Sequence, residues 1–579
     1  MLPLEDQIVT NLMTRQYRKE DVRDGFEPSM QKAFDYVNSR RYDMSGVATK
    51  GTQRHTKMYD GTAQEAFMDW VDGMLGWGVS ESLTWQRAAI SDRRLRDNDN
   101  VQRYLDEFTE QMSWEFRAGN FYDVLPEWLQ DAGSGGTATI LTEESKDLSH
   151  SVHRVPHPGM VWIAEDGEGN VNSYHEKVIF TARQMVDRYN RTGDRLHGSI
   201  QKWAKNPSSS LWDAQVLQCL VPSDDMAIFP RRLTTKPFTL VTILWELHGG
   251  TGVATQDLLV QAPMDRLIRI EHLSYFEATV WRFRKNSDEL YGYSPAMDIL
   301  TVIEAAQQHA YNLMNMGNFA ARPMTNIPEE MRRDASILPG ARHYYGSENR
   351  IVSTVPMGGE YPIAADREEK IHNLIRKRYG WHVWNAVLGL QAKKERVQAT
   401  EVMEVRSDQA RLLTGQFNNF WRSGIKPVWN NVAYIAGRAG RLPEPPSVMD
   451  EVRGKDLIDV DFIGPLSVIQ MFASKLGGLQ QAMRMLAEVG EVVGRHIGPE
   501  EAARIYARVN LEDLAEYVCD HGGMPQRLMR TDDEVTAIID GRQRRIDAAD
   551  QARNAREMAA ASAQLGKPVS ENSLLAGAV

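Results

Sequence analysis

Through the first 130 residues apolar positions recur every third or fourth residue, the spacing of helices that bury one face. After the turn at Tyr59, Asp60, Gly61 and Thr62, the set Gln64, Phe67, Met68, Val71, Met74 and Leu75 predicts one such helix. A second is predicted over 100–118, with Val101, Tyr104, Leu105, Phe108 and Met112 on one face. A third, over 122–132, is expected to stop at Gly133, Ser134, Gly135 and Gly136. From about 137 to 285 the period falls to two. Strands are predicted at 137–142, 214–221, 240–247 and 276–283, and a hairpin joins 160–164 to 171–175 around Asp166, Gly167, Glu168 and Gly169. Thr181 is placed to cap a short helix that ends near Tyr189.

The pattern then changes again. Pro295, tolerated at a first helical position, opens a helix from Ala296 to about Ala321. Ala296, Ile299, Leu300, Ile303, Ala306 and Ala310 form its apolar stripe, and Asp298, Glu304, Gln307 and Gln308 are assigned to its other faces. Residues 322–364 are broken by Pro323, Pro328, Pro339, Pro356 and Pro362, which predicts a compact insert of short strands and a small helix. A second helix is predicted over 366–379, then a glycine-interrupted loop at 385–398. A long helix from Thr400 to about Gly437 should kink near Pro427. Beyond a proline-rich turn at 442–446 and a strand at 459–466, the chain reads as helical to 565, with a loose tail at 566–579. The fold class is α+β, mainly helical.

A length of 579 residues implies two to four structural units. With 42% hydrophobic and 25% charged residues the balance is that of a soluble globular protein. No run of about 18 apolar residues predicts a membrane span. The first residues lack a basic segment followed by an apolar one, so no secretory signal is expected. Cys219 and Cys519 are too few for a disulfide framework or a zinc site and read as idle thiols in a reducing cytoplasm. A net charge of −11 argues against gripping DNA with a broad basic face, but an acidic or mixed wall suits DNA that slides past. Fourteen Trp and 26 Met point to large packing surfaces.

Catalytic chemistry finds no motif. A phosphate-binding loop with its lysine is absent, as is a Gly-x-Ser-x-Gly elbow. Asp166, Glu168 and Asn170 start like a calcium loop, but Val171 stands where glycine is needed and Lys177 where glutamate is. Pro156 and Pro158 break any helix that would pair His153 with His157, and Ile179 replaces the second histidine of a zinc-protease motif begun by His175 and Glu176. No catalytic residue, metal or cofactor is assigned.

The order helix, proline-broken insert, helix, loop and long kinked helix resembles the portal proteins, or head-to-tail connectors, of short-tailed bacteriophages. Local motifs carry the same resemblance: YDGTA at 59–63, GGTA at 135–138, EDGEG at 165–169, YGYSPA at 291–296, Arg322 with Pro323, ATEV at 399–402, and FIGPL at 462–466. It spans about 55 to 565. It implies a portal fold assembled as a dodecameric ring at one capsid vertex, through which DNA is packaged and ejected. The wing would be 1–290 and 400–466, the stem helices 291–321 and 366–382, the clip 322–365, the tunnel loop 383–399 and the crown 467–579. The implied partners are double-stranded DNA, bound without sequence preference, the terminase large subunit, tail adaptor or nozzle proteins, and major capsid and scaffold proteins. The implied location is the virion, with the host cytoplasm during assembly.

Within that resemblance Lys393, Lys394 and Arg396 of the tunnel loop would touch passing phosphates, or else form a solvated cluster. Arg376, Lys377 and Arg378 complement the dipole of the helix they end, and contact with channel DNA or an acidic neighbour is the other assignment. Arg332, Arg333 and Arg342 would contact a partner in the clip. Arg542, Arg544 and Arg545, mixed with Asp540, Asp547 and Asp550, read as a solvated or bundle-edge face. The competing classes are a virion-associated enzyme such as a nuclease, and an internal scaffold or ejection protein, which would lack the strand-rich middle.

Overall fold

The computed structural model describes residues 4–39, 44, 58–82, 84–96, 98–224, 235–248, 266–321, 325–327, 329, 353–354, 361–381, 415–451, 458–463, 477–496 and 532–565. The chain divides into two compact units, one built of 1–89, 108–443 and 460–478, the other of 90–107, 444–459 and 479–579.

The first unit is centred on an antiparallel sheet, ordered β4-β5-β6-β7-β8. Its strands are β4 (Val161–Glu165), β5 (Val171–Thr181), β6 (Asp213–Pro222), β7 (Phe238–His248) and β8 (Leu267–Leu273). Both faces are covered. Helix α1 (Leu4–Asp24) lays Ile8, Val9 and Leu12 on Leu217, Cys219, Val221, Val241 and Ile243. On the other face α6 (Ala182–Arg188) and α7 (Gly198–Lys205) bury Ala182, Met185 and Ile200 against Ala214, Val216, Leu244 and Ile268. Each large aliphatic side chain so enclosed contributes about 1.5–3 kcal/mol. α6 starts where the sequence placed it. The Thr181 hydroxyl accepts the Gln184 N–H at 3.3 Å and the Gln184 side chain accepts the Thr181 N–H at 2.9 Å.

Polar groups fix α1 on the sheet. The Gln16 side-chain oxygen lies 2.9 Å from Nδ1 of the buried His175. Lys177 of β5 pairs with Glu20 of α1 at 2.7 Å, and Arg23 of α1 stands 4.2 Å from the ring centre of Trp162 on β4.

A smaller sheet, ordered β3-β2-β9, links this layer to the remaining helices of the unit. It pairs β2 (Thr137–Glu144) with β3 (Ser151–Arg154) and β9 (Ala278–Arg282). Around it lie α2 (Glu27–Val37), α3 (Thr62–Gly78), the end of α4 (Asp99–Ala118), and α5 (Phe121–Gly135). α5 runs past the predicted glycine stop as far as Gly135, and Gly136 ends it in the left-handed conformation with φ 76°. Glu115 of α4 is fully buried, and Arg441 forks onto it with hydrogen bonds of 2.7 and 3.2 Å.

The predicted helix at 296–321 is interrupted. α8 (Pro295–Asp298) is capped by Ser294, Ile299 leaves the helix, and α9 (Leu300–Ala321) resumes it. α10 (Tyr361–Arg378) starts five residues before its predicted beginning. Between them the described part of the insert is an antiparallel ribbon of β10 (Thr325–Asn326) and β11 (Ser353–Thr354). The kink expected near Pro427 takes the form of a π-helical turn over Phe420–Ile425, followed by α11 (Lys426–Arg438). Proline has no N–H to give to the carbonyl four residues back, and a widened turn just before it accommodates the lost bond. The same turn seats Phe420 against Trp281 and Trp128, with ring centres 4.9 and 6.0 Å away. Gly424 fits there because a Cβ would lie 3.0 Å from the Trp128 ring. The strand predicted at 459–466 is β12 (Ile458–Phe462).

In the second unit lie most of α12 (Gly477–His496) and all of α13 (Asp532–Leu565).

Candidate functional site

Three of the motifs noted in the sequence meet at the base of the α9–α10 pair. The first contact joins GGTA to YGYSPA. The Gly292 N–H donates to Thr137 Oγ1 at 2.8 Å, and Ser294 Oγ donates to the Ser134 carbonyl at 2.7 Å. Ser294 Oγ also accepts the Met297 N–H at 3.0 Å, so one hydroxyl both caps α8 and ties it to α5. The two backbones pass so closely that a Cβ on Gly136 would lie 2.2 Å from the Gly292 carbonyl oxygen, and one on Gly292 would lie 2.5 Å from that of Gly136. Both positions therefore require glycine.

The second contact ties YDGTA to both long helices. The Gln307 side-chain oxygen accepts the N–H groups of Tyr59 and Asp60 at 2.7 and 3.0 Å, and its amide donates to the Asp60 carbonyl at 2.7 Å. Asp60 Oδ1 accepts the Thr62 N–H and hydroxyl at 2.9 and 2.7 Å, which starts α3. Asp60 Oδ2 lies 3.1 Å from Nε2 of His372 on α10. A single turn thus clasps α9 through Gln307 and α10 through His372.

Gln307 is buried, contrary to its expected place on an outer face. It falls four residues after Ile303 and three before Ala310, so helical spacing itself puts it on the apolar stripe. His372 and Asp298 were not recognised as functional from the sequence, because their partners are far along the chain.

Aromatic packing closes the base. Phe67 of α3 stands edge-on to Tyr379 at the end of α10, with ring centres 6.1 Å apart, and Tyr379 and Ile375 are buried. Further along the pair the burial is lost. Tyr311, Met314 and Phe319 of α9 and Leu374 of α10 are exposed, Leu374 to 56%.

The cations ending α10 have distinct surroundings. Arg378 pairs with Asp298, whose Oδ2 also lies 3.3 Å from Arg284 Nη1. Burial and the nearby Arg284 hold the Arg378 guanidinium below its ordinary range. Arg376 stands 5.7 Å from the Trp381 ring centre. Trp381 hydrogen-bonds Asp69, whose carboxyl is pushed up by burial and by Asp72. Lys377 is exposed. Lys393, Lys394 and Arg396 of the predicted tunnel loop, and Arg332, Arg333 and Arg342 of the predicted clip, lie outside the described residues.

Two buried titratable groups, His153 and Cys219, lie in the core of the first unit. Burial pulls the His153 imidazole down to about 3, where Phe116 and Phe121 pack on its ring. Burial pushes the Cys219 thiol up to about 12. Among the described residues no three His, Cys, Asp or Glu side chains are grouped to hold a metal ion, and no helix is long and apolar enough to cross a membrane.

What this arrangement offers is mechanical: two long helices anchored firmly at one end, with apolar side chains exposed along the rest. The chain belongs to the family of bacteriophage head to tail connecting proteins, which matches residues 10–529. It is thus a structural protein of the phage particle, not an enzyme. Two curated relatives are similar along nearly their whole length. The portal protein of Salmonella phage epsilon15 is 22% identical over 558 residues, covering 95% of this chain and 93% of that one. The probable portal protein of Bordetella phage BPP-1 is 22% identical over 525 residues, covering 89% and 88%.

Proposed function

We propose that this chain is the portal subunit of a short-tailed phage, assembling as a dodecameric ring through which double-stranded DNA enters and leaves the capsid. In this assignment α9 and the part of α10 from 366 onward are the stem, 322–365 is the clip, 383–399 is the tunnel loop and 467–579 is the crown. The sheets, with α11 and its preceding π turn, form the wing. The ring docks first the terminase large subunit and then tail adaptor or nozzle proteins, while capsid and scaffold proteins surround it at the vertex. It assembles in the host cytoplasm before entering the virion.

The observation that carries the proposal is the uneven burial of the stem pair. Its base is locked to three motifs, yet Tyr311, Met314, Phe319 and Leu374 remain exposed in the single chain. Exposed large apolar side chains along a structural helix call for covering by another chain. In a ring the same surface meets the next copy at each step, so the contact is heterologous and closed. Lys377, with Lys393, Lys394 and Arg396, supplies point charges for passing phosphates that are independent of sequence and weakened by salt.

Native mass measurement and negative-stain microscopy of the purified full chain test this. The expected result is a closed ring with an axial opening. A monodisperse monomer at micromolar concentration overturns it. Replacing Lys393 and Lys394 together with alanine should leave rings intact and change DNA packaging or retention; normal packaging and retention remove those lysines from the DNA path.

A further inference from the structure

α13 is unlike the other helices. It is 34 residues long, about 51 Å at 1.5 Å per residue. From Thr536 to Met558 its side chains are exposed around the whole circumference, except at Gly541. A helix polar all round is either held by pairs along its own surface or completed by neighbours. Own-surface pairs are few among the described side chains: Gln543 with Asp547 at 3.1 Å and Arg553 with Glu557 at 3.4 Å.

Its charges are sorted by side. At about 100° per residue, Asp540, Asp547 and Asp550 fall on one flank, and Arg542, Arg545, Arg553 and Arg556 on a roughly opposite one. Arg544, at the edge of the acidic flank, and Glu557, beside Arg553, depart from the sorting. Met558, 75% exposed, lies on the acidic flank, and Ile538, 48% exposed, on the basic one. Between the flanks runs an arc of small residues, Ala537, Gly541, Ala548, Ala552 and Ala555.

The heights match as well. Asp540 is two residues from Arg542, Asp547 two from Arg545, and Asp550 three from Arg553, each about 3–4.5 Å along the axis. Copies related by rotation about one axis carry each residue at the same height. The acidic flank of one copy therefore faces the basic flank of the next at three successive levels. Two copies related by a two-fold axis would set like flank against like, which charge repulsion opposes.

We infer that α13 is an interface between copies of this chain: the Asp540, Asp547 and Asp550 flank of one copy packs, parallel and in register, on the Arg542, Arg545 and Arg553 flank of the next. This rests on the ring assignment and adds to it the surface by which the carboxy-terminal helices join. Single exposed ion pairs contribute little, so the flanks act mainly by selecting register and direction.

The test uses the full chain in a Cys519→Ser background, Cys219 being fully buried. Asp540→Cys and Arg542→Cys are introduced together, and the assembled protein is treated with a short bis-maleimide. On one helix these positions point to opposite sides, so linkage within a chain is disfavoured. The expected result is a ladder of covalent species beyond the dimer, with each single variant giving none. Adding Asp547→Arg and Asp550→Arg, or Arg545→Glu and Arg553→Glu, should abolish the ladder, and adding all four should restore it. Intact rings by native mass with no ladder overturn this inference and leave the ring assignment standing. Dimers from a single variant overturn it in favour of two-fold pairing. Failure of the parent chain to form any ring overturns the assignment on which it rests.

Discussion

The base of the α9–α10 pair and the helix α13 use polar residues in opposite ways. At the base, Gln307, Asp60 and Ser294 are buried and each serves several hydrogen bonds within the chain. On α13, nine charged side chains from Asp540 to Glu557 stand exposed, and few are engaged within the helix. A buried polar group left unpaired costs far more than an exposed one, so the base specifies the fold of one chain, whereas α13 leaves its specificity for contact with other chains. The same division runs along α9 itself, from the buried Ile303, Ala306 and Gln307 to the exposed Met314 and Phe319.

The contrast breaks most readily at Gly136. A side chain there meets both the left-handed φ of 76° and a backbone oxygen 2.2 Å away. Gly136→Val should cost upwards of about 3 kcal/mol, measured as loss of folded protein or a large drop in Tm; a stable variant would show that the two backbones separate freely. Arg441→Ala leaves the carboxylate of Glu115 buried without its partner and should cost about 3 kcal/mol by chemical denaturation. Gln307→Leu keeps the volume but orphans two backbone N–H groups, for a loss of about 2 kcal/mol. A loss under half of that means the turn at Tyr59 finds other partners. By contrast, Arg542→Ala and Asp547→Ala on α13 should change the unfolding free energy by no more than about 0.5 kcal/mol.

A pH titration sharpens the same comparison. Glu277 is held up at about 8 by burial first, then by Glu143 and Glu271, with Tyr275 and Arg188 acting the other way. The folded state thus keeps a proton that the unfolded chain releases near 4.5. Stability therefore falls as pH rises from about 4.5 to about 8, and Glu277→Gln should flatten that slope. An unchanged slope in thermal melts across that range removes Glu277 as its source.

Much of the first unit was legible because its signals are local. The hairpin around Gly167, the Thr181 cap and the strands at 214–221 and 240–247 all follow from periods and turn residues within a dozen positions. β8 was not predicted because its polar positions, Arg269, Glu271 and His272, fall on both faces and mask the period of two. They suit an edge strand, where Arg269 reaches Asp194 at 2.7 Å. The break at Ile299 was also invisible, since the stripe continues through it. At the candidate site the motifs could be seen but their meeting could not. Nothing near Asp60 points to Gln307 or His372, hundreds of residues away, because such contacts arise only when the layers close.

Where Gly136 and Gly292 cross, main chain lies directly on main chain, with no side chain between to deform. Side chains can change rotamer under load; peptide planes in contact cannot. Force on the α9–α10 pair therefore passes into β2 and α5 as through a welded bracket, and any bending has to occur farther out along the helices.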